Sequence, residues 1–448
     1  MRHFFPAPPN PPAPGLYHFM RQSGAEKTRL HLRIDPDGHG TLLINANQMV
    51  HFNPTAAFMA YLRLTETPAK QARRALQRAY RVSSAQAKRD YAQFSTDLEN
   101  LVRPDACLFC AVEGLEISAP FSERPSAPYR MDLALTYRCN NDCAHCYNVS
   151  DRHDPELDTA DWKAILDRLW EIGAPHIVFT GGEPTLRADL PELIAHAEHN
   201  GQITGLNTNG RRLRDPRFVE ALVQAGLDHV QITLESHEAA IHDHMVRCKG
   251  AWKQTVEGLR NALASPLFVM TNTTMLRDNV QGLPATLDFL AELGVPTIGL
   301  NALIYSGRGK DVGTGLPAQT LPALLEMART KTQSAGQKLI WYTPTQYCHF
   351  DPVQLELGVK GCTAALYNMC IEPDGAVLPC QSYYRPVGNI RRDPWERIWE
   401  HDLCRALRER RYTPAACQDC ALLSECGAGC PLALEDQPAP HPVVGLVG

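Results

Sequence analysis

The central part of the chain alternates strand-like and helix-like segments six times, and this repeat constrains the fold more than any other feature. The segment 159–172 shows the helical pattern best, because its apolar residues share one face and Gly173 ends it. Short connections between such strands and helices imply a parallel sheet with right-handed crossovers. The sequence therefore predicts an α/β fold, a partial (β/α)6 TIM-like barrel over residues 131–335. The predicted strands are 132–136, 176–180, 203–207, 229–235, 267–275 and 297–303.

The region before the predicted barrel has a different character. Residues 1–24 are rich in proline, so we expect a flexible lead without regular structure. Residues 25–104 show three short strands and then three helices, with Asn53 as an N-cap and Pro54 at the first helical position. This order indicates a small α+β domain. Residues 105–130 are interpreted as a linker to the barrel.

The region after the barrel and the overall composition complete the outline. Residues 336–435 combine short strands, turns and cysteines with little apolar sequence, so we expect metal to stabilise them, and 436–448 to form a tail. The formal net charge of -5 argues against nucleic acid as a main partner. No apolar run reaches the roughly 18 residues of a membrane helix, and the start lacks a secretory signal. We therefore expect a cytoplasmic protein without a membrane partner.

Cysteine is the anomalous residue, with 15 in the chain. In a reducing compartment, clustered thiols indicate metal or redox chemistry rather than disulfides. Cys248, Cys348 and Cys404 stand apart and are interpreted as small buried apolar residues. The clustered cysteines are at 107 and 110; at 139, 143 and 146; at 362, 370 and 380; and at 417, 420, 426 and 430.

Cys139, Cys143 and Cys146 directly follow the first predicted barrel strand. The carboxyl ends of barrel strands are where active sites assemble. Three thiolates fit three irons of a four-iron–four-sulfur (4Fe–4S) cluster and leave the fourth iron open for a ligand. By spacing alone, zinc with His145 or His153 as the fourth ligand stays possible.

This C-x3-C-x2-C segment, followed by the aromatic Tyr147, resembles the signature of radical S-adenosylmethionine (SAM) enzymes. In that family the open iron binds the amino and carboxylate groups of SAM. Reductive cleavage of SAM then gives a 5′-deoxyadenosyl radical, which abstracts a hydrogen atom. The resemblance implies a 4Fe–4S cluster on Cys139, Cys143 and Cys146, SAM as cosubstrate, and an electron donor such as flavodoxin or ferredoxin.

Further motifs extend the resemblance through the barrel. The Gly-Gly-Glu-Pro segment 181–184 is similar to the family loop that holds the methionine amine of SAM. The Asn-Thr-Asn-Gly segment 207–210 ends the third strand, as a similar segment does in the family. The Thr-Leu-Glu segment 233–235 stands where Ser-Leu-Asp is common, and Arg247 stands where an arginine often meets the SAM carboxylate. No general acid or base is predicted. The implied SAM-binding residues are Tyr147, Gly181, Gly182, Glu183, Asn207, Thr233 and Arg247.

The C-terminal cysteines suit zinc or iron–sulfur chemistry equally by spacing alone. Their order resembles the SPASM extension of radical SAM enzymes, which carries two auxiliary iron–sulfur clusters. The resemblance implies one cluster on Cys362, Cys380 and Cys430 with Cys370 as fourth ligand. It implies a second on Cys417, Cys420 and Cys426. The family's last cysteine has no counterpart here, so the second cluster's fourth ligand stays open. The candidates are Cys107, Cys110, Cys404, Glu435, Asp436, His441, water and substrate.

Residues 25–104 resemble a RiPP recognition element (PqqD-like), a winged-helix-like domain that binds the leader of a ribosomally synthesised precursor peptide. A sheet with a free edge can accept an extended peptide as an added strand. The three resemblances together imply a peptide-maturing radical SAM enzyme that forms a thioether or carbon–carbon crosslink or makes a related change. The alternatives for the whole protein are a sulfatase-type protein maturase, a haem-modifying enzyme and a non-catalytic zinc-stabilised binding protein. The alternative for residues 25–104 is a domain that only shields the barrel.

Overall fold

The computed structural model describes residues 10–23, 26–45, 48–102, 125–148 and 155–435. The chain divides into two compact units, one of residues 1–126 with 169–175, the other of 127–168 with 176–448. The cysteines at 107 and 110 and the residues His153, Asp436 and His441 lie outside the described ranges.

The first unit begins with an antiparallel sheet in the order β1-β2-β3-β4. The expected flexible lead is wrong for residues 15–23, because β1 pairs with β2 from Gly15 opposite Ile34 to Ser23 opposite Glu26. The proline-rich stretch ends at Pro14, so the main-chain N–H groups of residues 15–23 are available for strand pairing. The sheet thus has four strands where three were predicted. They are β1 Gly15–Ser23, β2 Glu26–Ile34, β3 Gly40–Ile44 and β4 Gln48–Phe52.

Three helices follow the sheet and share its apolar core. Asn53 caps the first of them, since its Oδ1 accepts from the Ala56 N–H at 2.9 Å. Ser83 caps the third in the same way, at 3.1 Å from the Gln86 N–H. Leu32, Leu42 and Leu98 are among the core residues with no exposed surface. The helices are α1 Pro54–Leu64, α2 Ala69–Tyr80 and α3 Ser84–Leu101.

The second unit contains the predicted run of parallel strands, with each strand within two residues of its expected ends. The strands are β5 Arg130–Thr136, β6 His176–Gly181, β7 Ile203–Thr208, β8 His229–Thr233, β9 Phe268–Thr274 and β10 Thr297–Asn301. The helices of this run are α4 Thr159–Glu171, whose last three residues are counted with the first unit, α5 Leu190–Asn200, α6 Pro216–Gln224, α7 Ala239–Met245, α8 Ala251–Leu263 and α9 Leu283–Glu292.

The parallel sheet extends beyond the predicted barrel boundary at residue 335. The helix α10 Leu321–Ser334 leads into β11 Lys338–Trp341, which pairs in parallel with β10. A seventh parallel strand therefore lies in the segment assigned from sequence to the C-terminal region. The short apolar stretch before residue 342 was too brief to predict as a strand.

The C-terminal region continues the same sheet from its other side. The strand β12 Asn368–Ile371 pairs in parallel with β5, so the cysteine-rich region is joined to the barrel by main-chain bonds. Two short antiparallel strands and four short helices complete the unit. They are β13 Ala376–Leu378, β14 Gly388–Asn389, α11 Trp395–Trp399, α12 Asp402–Arg408, α13 Leu423–Cys426 and α14 Pro431–Glu435. In the described ranges, no helix is long and apolar enough to cross a membrane.

Candidate active site and metal centres

The first cysteine loop leaves the carboxyl end of β5 and is held by main-chain hydrogen bonds from the far side of the barrel. Asp142 and Ala144 donate their N–H groups to the carbonyls of Val246 at 3.0 Å and Met245 at 2.9 Å. The Gly309 N–H, from the loop after β10, donates to the Cys146 carbonyl at 3.3 Å. The loop is therefore fixed by elements that have their own apolar core.

The three thiols of this loop influence one another. Burial is the main cause that raises the pKa of Cys139 to about 11, and the charges of Glu183 and Cys146 add to it. Burial is also the main cause that raises the pKa of Cys143, and the charges of Cys146, Glu235 and Cys139 raise it further. Thiols that disfavour each other's ionisation suit a bound cation, whose positive charge reverses that cost.

The spacing of the side chains also bears on the kind of metal group. Within the described ranges, no three His, Cys, Asp or Glu side chains converge closely enough to hold a single metal ion. Thiolates of a cluster bind separate irons, so they need not converge on one point as zinc ligands do. The charges of Cys139 and Cys146 both act on Cys143, so the three thiols lie near one another, as the ligands of one cluster must.

The Gly-Gly-Glu-Pro loop follows β6 and lies against the start of the cysteine loop. A Cβ atom at Gly182 would stand 2.5 Å from the Arg138 carbonyl oxygen and 2.6 Å from that of Tyr137. Gly181 has a φ of 127°, a conformation that side chains rarely adopt. Only glycine allows this close approach of two backbones.

Glu183, predicted to contact SAM, is fully buried and joins the loop to the end of β7. Its Oε1 accepts from the hydroxyls of Thr185 at 2.6 Å and Thr208 at 2.7 Å. Its Oε2 accepts from the Asn209 N–H at 2.8 Å. Burial raises the pKa of this carboxyl, although the hydrogen bonds oppose the shift. The side chain thus fixes the positions of residues 182–185 and 208–209 relative to each other.

His145, a candidate zinc ligand by sequence, has another partner in the structure. Its Nε2 lies 2.9 Å from Oε1 of Glu235, whose side chain has no exposed surface. The second carboxylate oxygen of Glu235 accepts from the Thr274 N–H at 2.9 Å. This pair connects the cysteine loop to β8 and β9.

The other predicted SAM-binding residues stand at or beyond the carboxyl ends of their strands. Asn207 lies near the end of β7 and Thr233 at the end of β8, both half-buried. Arg247 is exposed, has a φ of 50°, and directly follows the residues that bond the cysteine loop. The structure brings these residues to one end of the barrel, and their roles in SAM binding stay predictions.

Tyr147 leads to polar residues that sequence reasoning did not single out. Its hydroxyl donates to Oε1 of Gln381 at 3.3 Å, and the Tyr384 hydroxyl donates to Oδ1 of Asn148 at 2.8 Å. Asn148 also donates through Nδ2 to the Gly181 carbonyl at 2.7 Å. These contacts bring the cysteine-rich region to the barrel mouth. Their long separation in sequence gave no local signal.

A row of polar side chains along the sheet was also missed. In β8 and β9 the half-buried residues alternate with fully buried ones. One face of each strand is therefore packed and the other is open to the barrel interior. The alternation in sequence could have identified this polar face. Its members near the carboxyl ends are Asn207, Gln231, Thr233, Asn272 and Asn301.

The C-terminal cysteines form two groups, the first of which includes Cys362, Cys380 and Cys430. Burial raises the pKa of Cys362, followed by the charges of Cys430 and Cys380. Cys370 stands on β12 opposite Asp132 of β5, and Cys380 is the one cysteine among the main influences on its pKa. Cys362 thus lies within electrostatic reach of Cys430 and Cys380, and Cys370 stands on a strand of the barrel sheet; their roles as ligands of one cluster stay predictions.

The second group comprises Cys417, Cys420 and Cys426, with one addition. Burial raises the pKa of Cys417, followed by the charges of Cys348, Cys426 and Cys420. Cys348 is exposed, and Cys248 is only half-buried, so the interpretation of both as buried apolar residues is wrong. Cys404 has no exposed surface, as predicted.

Comparison with known protein families identifies the class of the molecule. Residues 133–302 match the radical SAM superfamily, and residues 362–421 match SPASM, an iron–sulfur cluster-binding domain. The first match begins inside β5 and runs to the end of β10, and it includes the cysteine loop and the Gly-Gly-Glu-Pro loop.

Curated relatives are similar to about two thirds of the chain. The Fe-coproporphyrin III synthase of Methanosarcina barkeri is 30% identical over 323 residues, which are 65% of this chain and 80% of the relative. The PqqA peptide cyclase of Gluconobacter oxydans is 30% identical over 314 residues, 68% of this chain and 86% of the relative. The chain belongs to the radical SAM superfamily. It is a radical SAM enzyme that uses a 4Fe–4S cluster and SAM, and its SPASM domain carries auxiliary iron–sulfur clusters.

The fold extends the likeness to the first unit. Streptococcus suis SuiB, in a crystal structure with the precursor peptide SuiA bound, superposes with a TM-score of 0.69 at 15% identity. The superposition covers 94% of this chain and 97% of SuiB. At this identity the likeness concerns the fold alone.

Proposed function

We propose that this enzyme modifies a ribosomally synthesised precursor peptide by abstraction of a hydrogen atom, with a thioether or carbon–carbon crosslink or a related change as the outcome. The observation that carries the proposal is the open sheet edge in the first unit. The radical SAM and SPASM parts alone are compatible with many substrates, whereas a strand-accepting domain serves an extended peptide.

The proposed leader site is the β4 edge within residues 25–104. Among the described residues, β4 pairs with β3 on one side and with no strand on the other. Val50 and Phe52 are buried in the apolar core shared with the helices, and this packing holds the backbone of β4 in place. The strand is short, with Gln48–Phe52 only, which limits self-association through the edge. A leader peptide would add main-chain hydrogen bonds there.

The chain's own residues prepare the barrel for the reaction. Cys139, Cys143 and Cys146 would hold the cluster, and the main chain at Gly181 and Gly182 would approach SAM. Bound SAM supplies a 5′-deoxyadenosyl radical after one-electron reduction. An electron donor such as flavodoxin or ferredoxin would deliver that electron. The polar interior row that includes Gln231 and Asn272 would orient the substrate through hydrogen bonds to its main chain.

Names of similar proteins support a peptide substrate. One relative acts as a PqqA peptide cyclase, and SuiB binds its precursor peptide SuiA. The SuiB superposition spans 94% of this chain, which includes the strand-bearing first unit.

A second candidate substrate is an iron porphyrin. Fe-coproporphyrin III synthase and AdoMet-dependent heme synthase, both of Methanosarcina barkeri, match 65% and 68% of this chain at 30% and 28% identity. A porphyrin needs no added strand, so the first unit would then have another role. The same assay separates the two candidates.

Hydrogen–deuterium exchange on the full-length reconstituted enzyme tests the peptide proposal. Candidate precursor peptides are added, and exchange is followed by mass spectrometry. We expect slower exchange in Gln48–Phe52, because added main-chain hydrogen bonds protect strand amides, and micromolar affinity, because binding orders a flexible segment. Gly15–Ser23, at the opposite edge of the sheet, is the internal control.

Turnover completes the test. With SAM and reductant, we expect 5′-deoxyadenosine together with a mass change in the peptide. Protection of β1 instead of β4 would move the leader site to the other edge. Formation or consumption of Fe-coproporphyrin III, with no candidate peptide bound or altered, would overturn the peptide proposal in favour of the second candidate.

A further inference from the structure

The segment 344–348 runs beside the last cysteines of the C-terminal region. The Tyr347 N–H donates to Sγ of Cys426 at 3.3 Å, and that thiol donates to the Thr345 carbonyl at 3.5 Å. A Cβ atom at Gly429 would stand 3.0 Å from Cγ of Gln346, so the two segments are closely packed. Cys348 directly follows Tyr347 in the segment 344–348.

We propose that Cys348 supplies the fourth thiolate of the second auxiliary cluster, together with Cys417, Cys420 and Cys426. Iron–sulfur clusters of both the two-iron and four-iron types commonly take four cysteine ligands. The hydrogen bonds of residues 345 and 347 to Cys426 bring Cys348 to the edge of the three-thiol group. The inference concerns the cluster domain and does not depend on the peptide substrate.

Electrostatic influences agree with this geometry. The thiols of Cys426 and Cys420 lie close enough to Cys348 to act on it electrostatically. Cys348 is in turn the foremost charge acting on Cys417. Such mutual influence requires short distances, since the charges of exposed groups are screened within about 10 Å.

Cys404 and Glu435, the other candidates for the fourth ligand within the described residues, have different surroundings. Cys404 is buried in α12, where the charges acting on it are those of Arg408 and Glu400. Glu435 accepts a hydrogen bond from the Tyr383 hydroxyl at 3.0 Å and acts on Cys430, which belongs to the first auxiliary group. Among the described candidates, Cys348 is therefore the residue that completes the second group.

The complete ligand set has a consequence for the cluster's role. With four thiolates bound, no iron is open to a substrate atom, so this cluster passes electrons or stabilises the fold. Cys348 and Cys420 are both exposed, which places the cluster at the surface of the C-terminal region. A donor protein could reach it there, whereas a substrate in the barrel would meet the other clusters.

Thiol alkylation of the wild-type enzyme tests the proposal without a mutation. The fully reconstituted protein and the same protein after chelation of its iron are treated with iodoacetamide, and each cysteine is quantified by mass spectrometry. We expect Cys348 to be protected at least tenfold in the loaded enzyme and to react once iron is removed. Cys420 is the positive control for a ligand, and Cys248, half-buried and outside all groups, is the negative control. Reaction of Cys348 at equal rates in both states, with Cys420 protected, overturns the proposal.

Variants give a second readout. Cys348→Ala should lower iron and sulfide content by between one iron and one whole cluster, and should change the electron paramagnetic resonance signal of the reduced protein. Cys348→Ser should restore part of both, because a serine oxygen can bind iron. Cys404→Ala and Cys248→Ala should leave iron content unchanged. Full iron content and an unaltered spectrum in Cys348→Ala would contradict the assignment, as would a loss of one cluster in Cys404→Ala.

Discussion

The barrel and the C-terminal region both present cysteine groups, but they hold them in different ways. Cys139, Cys143 and Cys146 lie on a loop that leaves β5, whose residues from Met131 to Thr136 are all buried. Cys417 ends the three-residue turn Ala415–Cys417, Cys420 lies between that turn and the four-residue α13, and Leu422 is 44% exposed. In the barrel an independent core shapes the metal site, whereas in the C-terminal region the metal must help to shape the protein.

This difference separates chemistry from stability. Loss of the barrel cluster should remove catalysis and leave the fold, because the loop's hydrogen bonds to Val246 and Met245 do not involve the thiols. Loss of the second auxiliary cluster should unfold its surroundings, because few apolar contacts would remain there. The predictions below test this contrast, from the largest effect to the smallest.

The largest effect is expected for Cys139→Ala, Cys143→Ala and Cys146→Ala combined. SAM cleavage should be abolished and one 4Fe–4S cluster's worth of iron lost, while the thermal melting temperature changes by no more than about 2 °C. Chromatographic assay of 5′-deoxyadenosine and circular dichroism measure the two effects. The matched control is Cys248→Ala, which should retain cleavage. A triple variant that still produces 5′-deoxyadenosine would refute the site, and one that unfolds would remove the contrast between the two regions.

The opposite pattern is expected for Cys417→Ala with Cys420→Ala. Iron content should fall by about one cluster, and the C-terminal region should become sensitive to limited proteolysis, because metal binding contributes folding free energy there. The melting temperature should drop by several degrees. Removal of iron by a chelator from the wild type should produce the same cleavage pattern. If iron content and protease resistance both match the wild type, the C-terminal region does not depend on metal.

Sequence predicted the barrel well because its signals are local. Strand and helix periods, end signals such as Gly201 and the position of the cysteines after β5 all lie within a few residues. The strand β1 was missed because prolines up to Pro14 dominate the reading of that segment, and β11 because four residues carry too little pattern.

The candidate site was predictable only where a motif lies in one stretch. The proximity of Cys348 to Cys426, and of Tyr384 to Asn148, arises from chain segments far apart in sequence, so no local pattern announces it. Glu235 illustrates the same limit of sequence analysis. In sequence it is only the residue that replaces Asp in the Ser-Leu-Asp segment common in the family. Its partner His145 became evident only from the fold.

Glu235 offers a sharper test of what holds the barrel's cysteine loop. Glu235→Ala should destabilise the protein by about 3 kcal/mol, because it leaves His145 and the buried Thr274 N–H without their carboxylate partner. The loop should also bind its cluster less completely. Glu235→Gln, whose amide oxygen still accepts a hydrogen bond, is the matched control and should lose much less. Urea denaturation and iron content measure the two effects. Equal stability of the alanine variant and wild type would show that other contacts suffice to hold the loop.

The smallest effect concerns the ion pair between Arg187 and Asp189, which directly follows the Gly-Gly-Glu-Pro loop in the chain. Arg187 holds Asp189 with two hydrogen bonds of 2.9 and 2.7 Å, and Thr159 donates to the same carboxylate at 2.7 Å. Although burial opposes it, these partners lower the pKa of Asp189 below its ordinary value of 3.8. The ionised carboxylate therefore stabilises the folded state above that value. This contribution is lost as the pH falls through the lowered folded-state pKa.

Asp189→Asn should accordingly cost about 1 kcal/mol near neutral pH, after allowance for screening by solvent. The stability difference between variant and wild type should stay constant from pH 7 to about pH 5 and shrink below the carboxyl's ordinary pKa. Urea midpoints of both proteins across this range measure it. Glu192→Gln, which alters an exposed pair with Lys163 one turn further along, is the matched control and should change stability by less than about 0.5 kcal/mol. A difference that persists unchanged in acid would mean that the asparagine disturbs the loop by its shape, and that the charge of Asp189 contributes nothing to holding it.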